Sequence, residues 1–471
     1  MKHYFVLMLL VLSCSSLAYA ATSTMDDQDS IEVTVYNSNM ALVKDTRHLQ
    51  LTKGNGELRF MDVASSIMPQ TVHIHSLTPA AQLNIWEQNY EYDLMDQHKL
   101  LDKYVGKTIK IKTTNQYQDK SEVVEAQLLS NNNGQIYKIG EDIYLDYPGY
   151  KILPGIPENL VAKPTLTWLY DSQINEPQSI QVSYITNNVN WMADYILVVD
   201  KDDALANLSG WVTLDNQSGA IYKDAKLKLV AGQVNRVQPV EDNMMAKGDV
   251  FARAEMASAP QFEEKAFFEY HIYDLQRKTT IKDNQKKQIS LLEAKDVHVA
   301  KEYEVNGQQQ YFYSNYMGNA QPIKEPVNVF LKFKNAQTNQ LGMPLPAGIV
   351  RLYKEDTDKS MQFIGEDAIK HTPKDEDVSL KVGEAFDIVS ERVQLDFQQN
   401  NRSYETEWEV TLRNHKDVPV TVAVIEPVYG DWEILKSSQP YKKVNSSNIR
   451  FDVVVPKDQE VKISYRIRVK I

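Results

Sequence analysis

Between Gln181 and Val234 the chain reads QVSYITNNVNWMADYILVVDKDDALANLSGWVTLDNQSGAIYKDAKLKLVAGQV, three apolar/polar alternating runs parted by two turn-rich breaks. Strict alternation suits a half-buried strand, because successive side chains of a strand leave opposite faces of the sheet. Tyr195-Ile-Leu-Val-Val199 is bounded by Asp200-Lys-Asp-Asp203, and Trp211-Val-Thr-Leu-Asp215 by Asn216-Gln-Ser-Gly219. Lys226-Leu-Lys-Leu229 then completes a predicted meander. The period is strictest at the end of the chain, where Val461, Ile463, Tyr465, Ile467, Val469 and Ile471 share one face. Lys462, Ser464, Arg466, Arg468 and Lys470 share the other. That cationic stripe suits an anionic glycan or lipid head group, but protection of an exposed sheet edge is the favoured reading.

These patterns, with 26 tyrosines and scattered glycine and proline, predict a mainly β protein of several sandwich- or barrel-like modules. The expected order is a signal peptide over 1–20, a β region over 31–90, and a helix plus small SH3-like barrel over 91–160. A central β-sandwich over 165–371 carries a mobile insertion at 238–264, and an immunoglobulin-like sandwich occupies 372–471. The one short helix, at about 92–104, follows from the spacing of Leu94, Met95, His98, Leu101 and Tyr104. Residues 21–30 read as a flexible leader. Leu49 to Phe60 reads as a hairpin turning at Lys53-Gly-Asn-Gly56, and Phe267 to Tyr273 as one strand. Leu341-Gly-Met-Pro-Leu-Pro-Ala-Gly348 is no ladder strand, since its two prolines lack N–H donors.

Lys2 and His3, the apolar run Tyr4–Leu12 and Ala18-Tyr-Ala20 have the form of an export signal cleaved after Ala20. The alternative is a lipoprotein anchored through Cys14, the only cysteine. No later apolar run is long enough for a transmembrane helix. A net charge of -12 makes nucleic acid an unsuitable partner.

No catalytic, cofactor or metal residues are assigned. The sequence has no Gly-x-Ser-x-Gly elbow, His-Glu-x-x-His helix, phosphate loop or EF-hand. His73 and His75 fall on one face of a strand and are half of a metal site at most; two solvent-facing histidines are favoured. Asp200, Asp202 and Asp203 lack the glycine and terminal glutamate of a calcium loop and read as a solvated turn.

From about Gln178 to Ile471 the chain resembles the domain-of-unknown-function 4139 family of bacterial proteins. The resemblance rests on Trp191-x-x-x-Tyr195, Gly210-Trp-Val-Thr-Leu-Asp-Asn216-Gln-Ser-Gly219 and Phe268-Glu-Tyr-His-Ile-Tyr273. Leu341 to Gly348, Phe363-Ile-Gly-Glu366 and His371-Thr-Pro-Lys374 follow in order. Some relatives are labelled mucoidy-inhibitor-like and carry a long coiled-coil insertion; no such heptad run occurs here, so that label does not transfer. The resemblance implies a β-rich exported protein and brings no active site with it. The expected function is that of a non-catalytic cell-envelope protein, periplasmic or surface-exposed, binding another protein or a polysaccharide. Two alternatives are an envelope hydrolase acting on glycan through dispersed carboxylates and an outer-membrane β-barrel.

Overall fold

The structure is a computed structural model that describes residues 20–78, 83–115, 120–157, 160–232, 234–235, 261–318 and 321–470. Cys14 and the signal up to residue 19 lie outside this set, as do residues 238–260 of the expected insertion. The chain is mainly β, and its one α-helix among the described residues is Gln97–Asp102. Contacts divide it into two compact units.

The first unit runs to Asn190 and takes in Asp215–Lys228 and Lys278–Gln285. The stretch expected to be a flexible leader is ordered. Ala20–Ser23 pairs in parallel with Gly54–Met61, and Met25–Asp27 forms a short helical turn under a Thr24–Asp27 capping box. Its polarity is misleading because Thr24 and Asp27 cap backbone donors of the turn. Ser23 is fully buried and accepts a bond from Arg47 at 3.2 Å. Arg47 also pairs with buried Asp45 at 2.8 Å and lies 3.5 Å over the Phe60 ring.

The expected hairpin at Lys53–Gly56 is not one. Met40–Gln50 pairs with Gln28–Tyr36 and Pro177–Asn187, whereas Gly54–Met61 pairs with Thr165–Ser172 in a different sheet. A glycine turn looks the same in sequence whether the chain doubles back or changes sheet, and Gly54 has φ +87°. The helix is shorter than 92–104 because Asp96 caps it, accepting from the Lys99 N–H at 2.8 Å, while Leu94 bridges Val161 in extended form. Beside it, an antiparallel sheet runs in the order Asp142–Leu145, Ile136–Ile139, Lys120–Ser130, Thr108–Asn115, Tyr150–Ile152. Leu101, Tyr104, Ile109, Ile111, Leu128 and Tyr137 form its core.

The second unit opens with a sheet in the order Gln285–His298, Leu205–Asn216, Val189–Val199, Gly348–Glu355, Met361–Ile369. The predicted meander therefore holds for its first two runs, whereas Tyr222–Ala231 leaves and pairs with Thr279–Ile281. The expected single strand at Phe267–Tyr273 is a hairpin, Phe262–Phe267 against Tyr270–Leu275, so the last part of the expected insertion is strand. Two sheets then face one another. One has the order Asp377–Glu384, Asn328–Lys334, Ala300–Asn306, Val420–Pro427, Asn448–Val455, Lys442–Asn445. The other has the order Ile323–Glu325, Ile388–Asn400, Ser403–Asn414, Gln459–Lys470, Asp431–Ser437. Trp408, Phe451, Tyr465 and Ile467 are among the buried residues of their shared core. Every sheet of the described residues has two ends, so no closed barrel, transmembrane or otherwise, forms among them.

Gln459–Lys470 has the alternation expected of it but is not an edge. It lies between Ser403–Asn414 and Asp431–Ser437, which overturns the edge-protection reading. Its outward cations instead interlock with acids on both neighbours. Lys462 meets Glu409 at 2.9 Å, Arg468 meets Glu405 at 2.7 Å and Glu433 at 2.8 Å, and Lys470 meets Asp431 at 2.9 Å. Arg466 pairs with Asp396 and Glu407. The stripe is thus neutralised within its own sheet, which removes the basis for an anionic-ligand site there.

Candidate functional site

The proline-containing loop 341–348, in the second unit, is held at almost every residue. Its prolines have no N–H to give, but their carbonyls accept from two buried phenols. Tyr273 Oη donates to Pro344 O and Tyr195 Oη to Pro346 O, each at 2.9 Å. Burial raises both phenols above their ordinary pKa, so they stay neutral donors. Trp191 stacks edge-on against Tyr273 at 6.2 Å and ties its indole N–H to Val230 O. Fully buried Asn335 donates to Met343 O at 2.8 Å and Pro373 O at 2.9 Å, and accepts from the Gly342 N–H at 3.1 Å. Leu345 and Thr372 exchange backbone bonds. At the end of the loop Gly348 lies against Ala193, where an added Cβ would sit 2.1 Å from the Ala193 carbonyl oxygen. Any larger residue there would have to push the parallel strand pair apart.

Two histidines bring titratable groups to this loop. His371 Nδ1 accepts from the Ala347 N–H at 3.2 Å, which leaves its neutral proton on Nε2. Burial, and then the neighbouring His271, hold the His371 pKa below its ordinary value. His271 Nδ1 pairs with Glu264 Oε1 at 2.7 Å. Among the described residues, no three His, Cys, Asp or Glu side chains converge as metal ligands.

Beside the start of the loop is a groove of about 390 Å³. Its walls are residues 290–295 of the strand Gln285–His298, together with Phe262, Leu341 and Met343. That strand is the end member of its sheet, with a ladder neighbour on one side only among the described residues. The groove therefore brings apolar side chains to a strand whose outer edge has no ladder neighbour among the described residues.

The residues singled out in the sequence stand elsewhere. His73 and His75 stack loosely at 5.2 Å in the first unit, with His73 lining a separate cleft. In the acidic turn, Asp200 accepts from the backbone N–H groups of Ala204 and Leu205, and Asp203 is ion-paired with Lys301 and Lys354. Partial burial pushes the Asp203 carboxyl up, but the two lysines outweigh it and hold it below the usual range.

One polar cluster had no signal in the sequence at all. Arg392, fully buried in the C-terminal sandwich, joins Glu426 at 2.8 Å, Glu325 at 3.1 Å and the Tyr465 hydroxyl at 2.6 Å. Its guanidinium lies 5.0 Å from the Tyr311 ring centre and 5.6 Å from that of Trp408. Glu426 belongs to one sheet and Arg392 to the other, so the pair staples the two together. Glu325 and Glu426 lie 67 and 34 residues from Arg392 along the chain, too far for any local pattern to reveal them.

The family-like segments Trp191–Tyr195, Phe268–Tyr273, Leu341–Gly348 and His371–Lys374 thus converge on one loop, although they are dispersed along the chain. No curated protein matches the sequence. Residues 180–471 match the family described as Domain of unknown function (DUF4139), and the chain belongs to that family.

Proposed function

We propose that this is an exported, non-catalytic protein of the bacterial cell envelope that captures a protein or a surface polymer. Export rests on the Tyr4–Leu12 run and Ala18-Tyr-Ala20. The observation that carries the binding reading is the groove along residues 290–295, whose apolar side chains lie on a strand that ends its sheet among the described residues. Its non-catalytic character accords with the polar chemistry of the adjoining loop. Tyr195, Tyr273 and Asn335 are engaged in bonds to loop backbone, which suits shaping a surface rather than moving electrons or protons of a substrate.

A photo-crosslinking residue in place of Ser290 tests the reading in intact cells, with an Ala294→Trp variant filling the groove as control. The expected result is a discrete adduct at Ser290 that the Ala294→Trp background loses while the protein stays folded. Adducts that persist in that background would sink the groove assignment, and turnover of purified envelope glycan by the protein would sink the non-catalytic one. Fractionation with mass spectrometry of the amino terminus tests export, with Ala21 as the expected first residue and lipidated Cys14 as the contrary outcome.

A further inference from the structure

The turn of the hairpin Phe262–Phe267/Tyr270–Leu275 carries two exposed aromatics, Phe267 at 62% and Phe268 at 85% exposure. Phe267 pairs with Tyr270, so only Phe268 and Glu269 form the turn. Phe268 has φ +57°. A two-residue hairpin turn that needs a positive φ at its first position takes glycine there without strain, whereas an aromatic residue is strained. Burial gives nothing back, since the ring is almost entirely in water. A strained backbone that serves to hold a large apolar group in solvent is unfavourable on both counts for the isolated molecule, and both costs are offset once the ring leaves water.

The charges nearby indicate what receives it. Glu263 pairs with Lys265 at 3.3 Å, whereas Glu264 lies 2.7 Å from His271, which is charged only when protonated; Glu269 in the turn and Asp274 in the stem add further negative charge, so the hairpin is acidic. The hairpin therefore offers no cationic patch for anionic head groups. A narrow acidic ribbon with an aromatic tip suits the interfacial zone of an uncharged lipid surface, where aromatic rings concentrate. We propose that Phe267 and Phe268 form a wedge that inserts shallowly into a lipid surface. Two rings make a weak, reversible anchor, weaker than a single acyl chain, whose own binding is only about 10⁴ M⁻¹. The inference does not depend on the groove.

The test is co-sedimentation of the mature chain with phosphatidylcholine–phosphatidylethanolamine vesicles, with and without phosphatidylglycerol, at low and high salt. Expected are binding to the uncharged vesicles that phosphatidylglycerol does not strengthen, no loss of that binding in high salt, and loss of binding to background in Phe267→Ser/Phe268→Ser, since the two rings are the anchor. Phe268→Gly separates anchoring from folding: it relieves the strained turn, so the thermal midpoint rises while vesicle binding falls. A dye on Glu269→Cys shifts to the blue when vesicles are added. The proposal is overturned if the wild-type chain stays in the supernatant, if the double variant binds equally, or if binding needs anionic lipid and is lost in salt. It is equally overturned if position 268 crosslinks to a protein in cells while vesicles give no binding, which would make the tip a protein anchor.

Discussion

Replacing Arg392 with methionine keeps most of the side-chain volume and removes the only cation of a fully buried cluster. Glu426 is wholly enclosed and Glu325 nearly so, each losing a charge-assisted bond, and the Tyr465 hydroxyl loses its partner. Removing one member of a buried ion pair costs about 3–5 kcal/mol. With two carboxylates left behind, the upper end applies. The loss depends on pH, and its sign follows from Glu325. Burial and the nearby Glu426 raise that carboxyl against the pull of Arg392. A raised carboxyl contributes stability below its unfolded pKa, and this is lost as pH rises through the folded value. Without the guanidinium the shift grows, so Arg392→Met is less damaging at about pH 5 than at about pH 8. Urea unfolding followed by tryptophan fluorescence, with Trp408 beside the cluster, reads the sandwich directly. Apolar replacement of all three charged residues recovers most of the loss, because the desolvation cost leaves with the charges. A penalty below about 1 kcal/mol, or one equal at both pH values, would refute the inter-sheet staple.

Three further outcomes follow from the geometry. Asn414→Ala orphans the carbonyls of Val418, Val455 and Pro456 and is expected to cost about 3 kcal/mol; a change within the error of urea unfolding contradicts it. His371, held below its ordinary value by burial and His271, contributes stability that is complete above about pH 6.5 and lost as pH falls through its folded pKa. An NMR titration midpoint at or above the free-histidine value would show that reading to be wrong. Reversing Lys462, Arg466, Arg468 and Lys470 to glutamate sets like charges against the acids of both neighbouring strands, lowering the urea midpoint by an amount that added salt shrinks. A midpoint indifferent to salt would count against the interlocked stripe.

What could be read in advance was local. The alternation of Val461 to Lys470 gives its two faces correctly, since side-chain direction is a property of the strand itself. Its neighbours are not in that pattern. Pairing of Ser403 with Lys470 and of Asp431 with the same residue is a fact of topology, so an interior strand was read as an edge. The proline loop was recognisable as a non-strand from its missing donors. That its carbonyls would be met by Tyr195 and Tyr273, far off in sequence, was not. The order of residues 21–30 is hidden for the opposite reason: the capping work of Thr24 and Asp27 resembles a flexible leader in composition alone.

The position of Gln459–Lys470 has a consequence for the order of events during synthesis. A ribosome delivers this strand after both of the strands that flank it, yet neither of those can complete its ladder until it arrives. The cations that meet Glu405, Glu407, Glu409, Asp431 and Glu433, and the Tyr465 contact to Arg392, arrive with it. The sandwich cannot close progressively behind the emerging chain; it waits for its last long strand and then assembles by long-range contacts, a slow route.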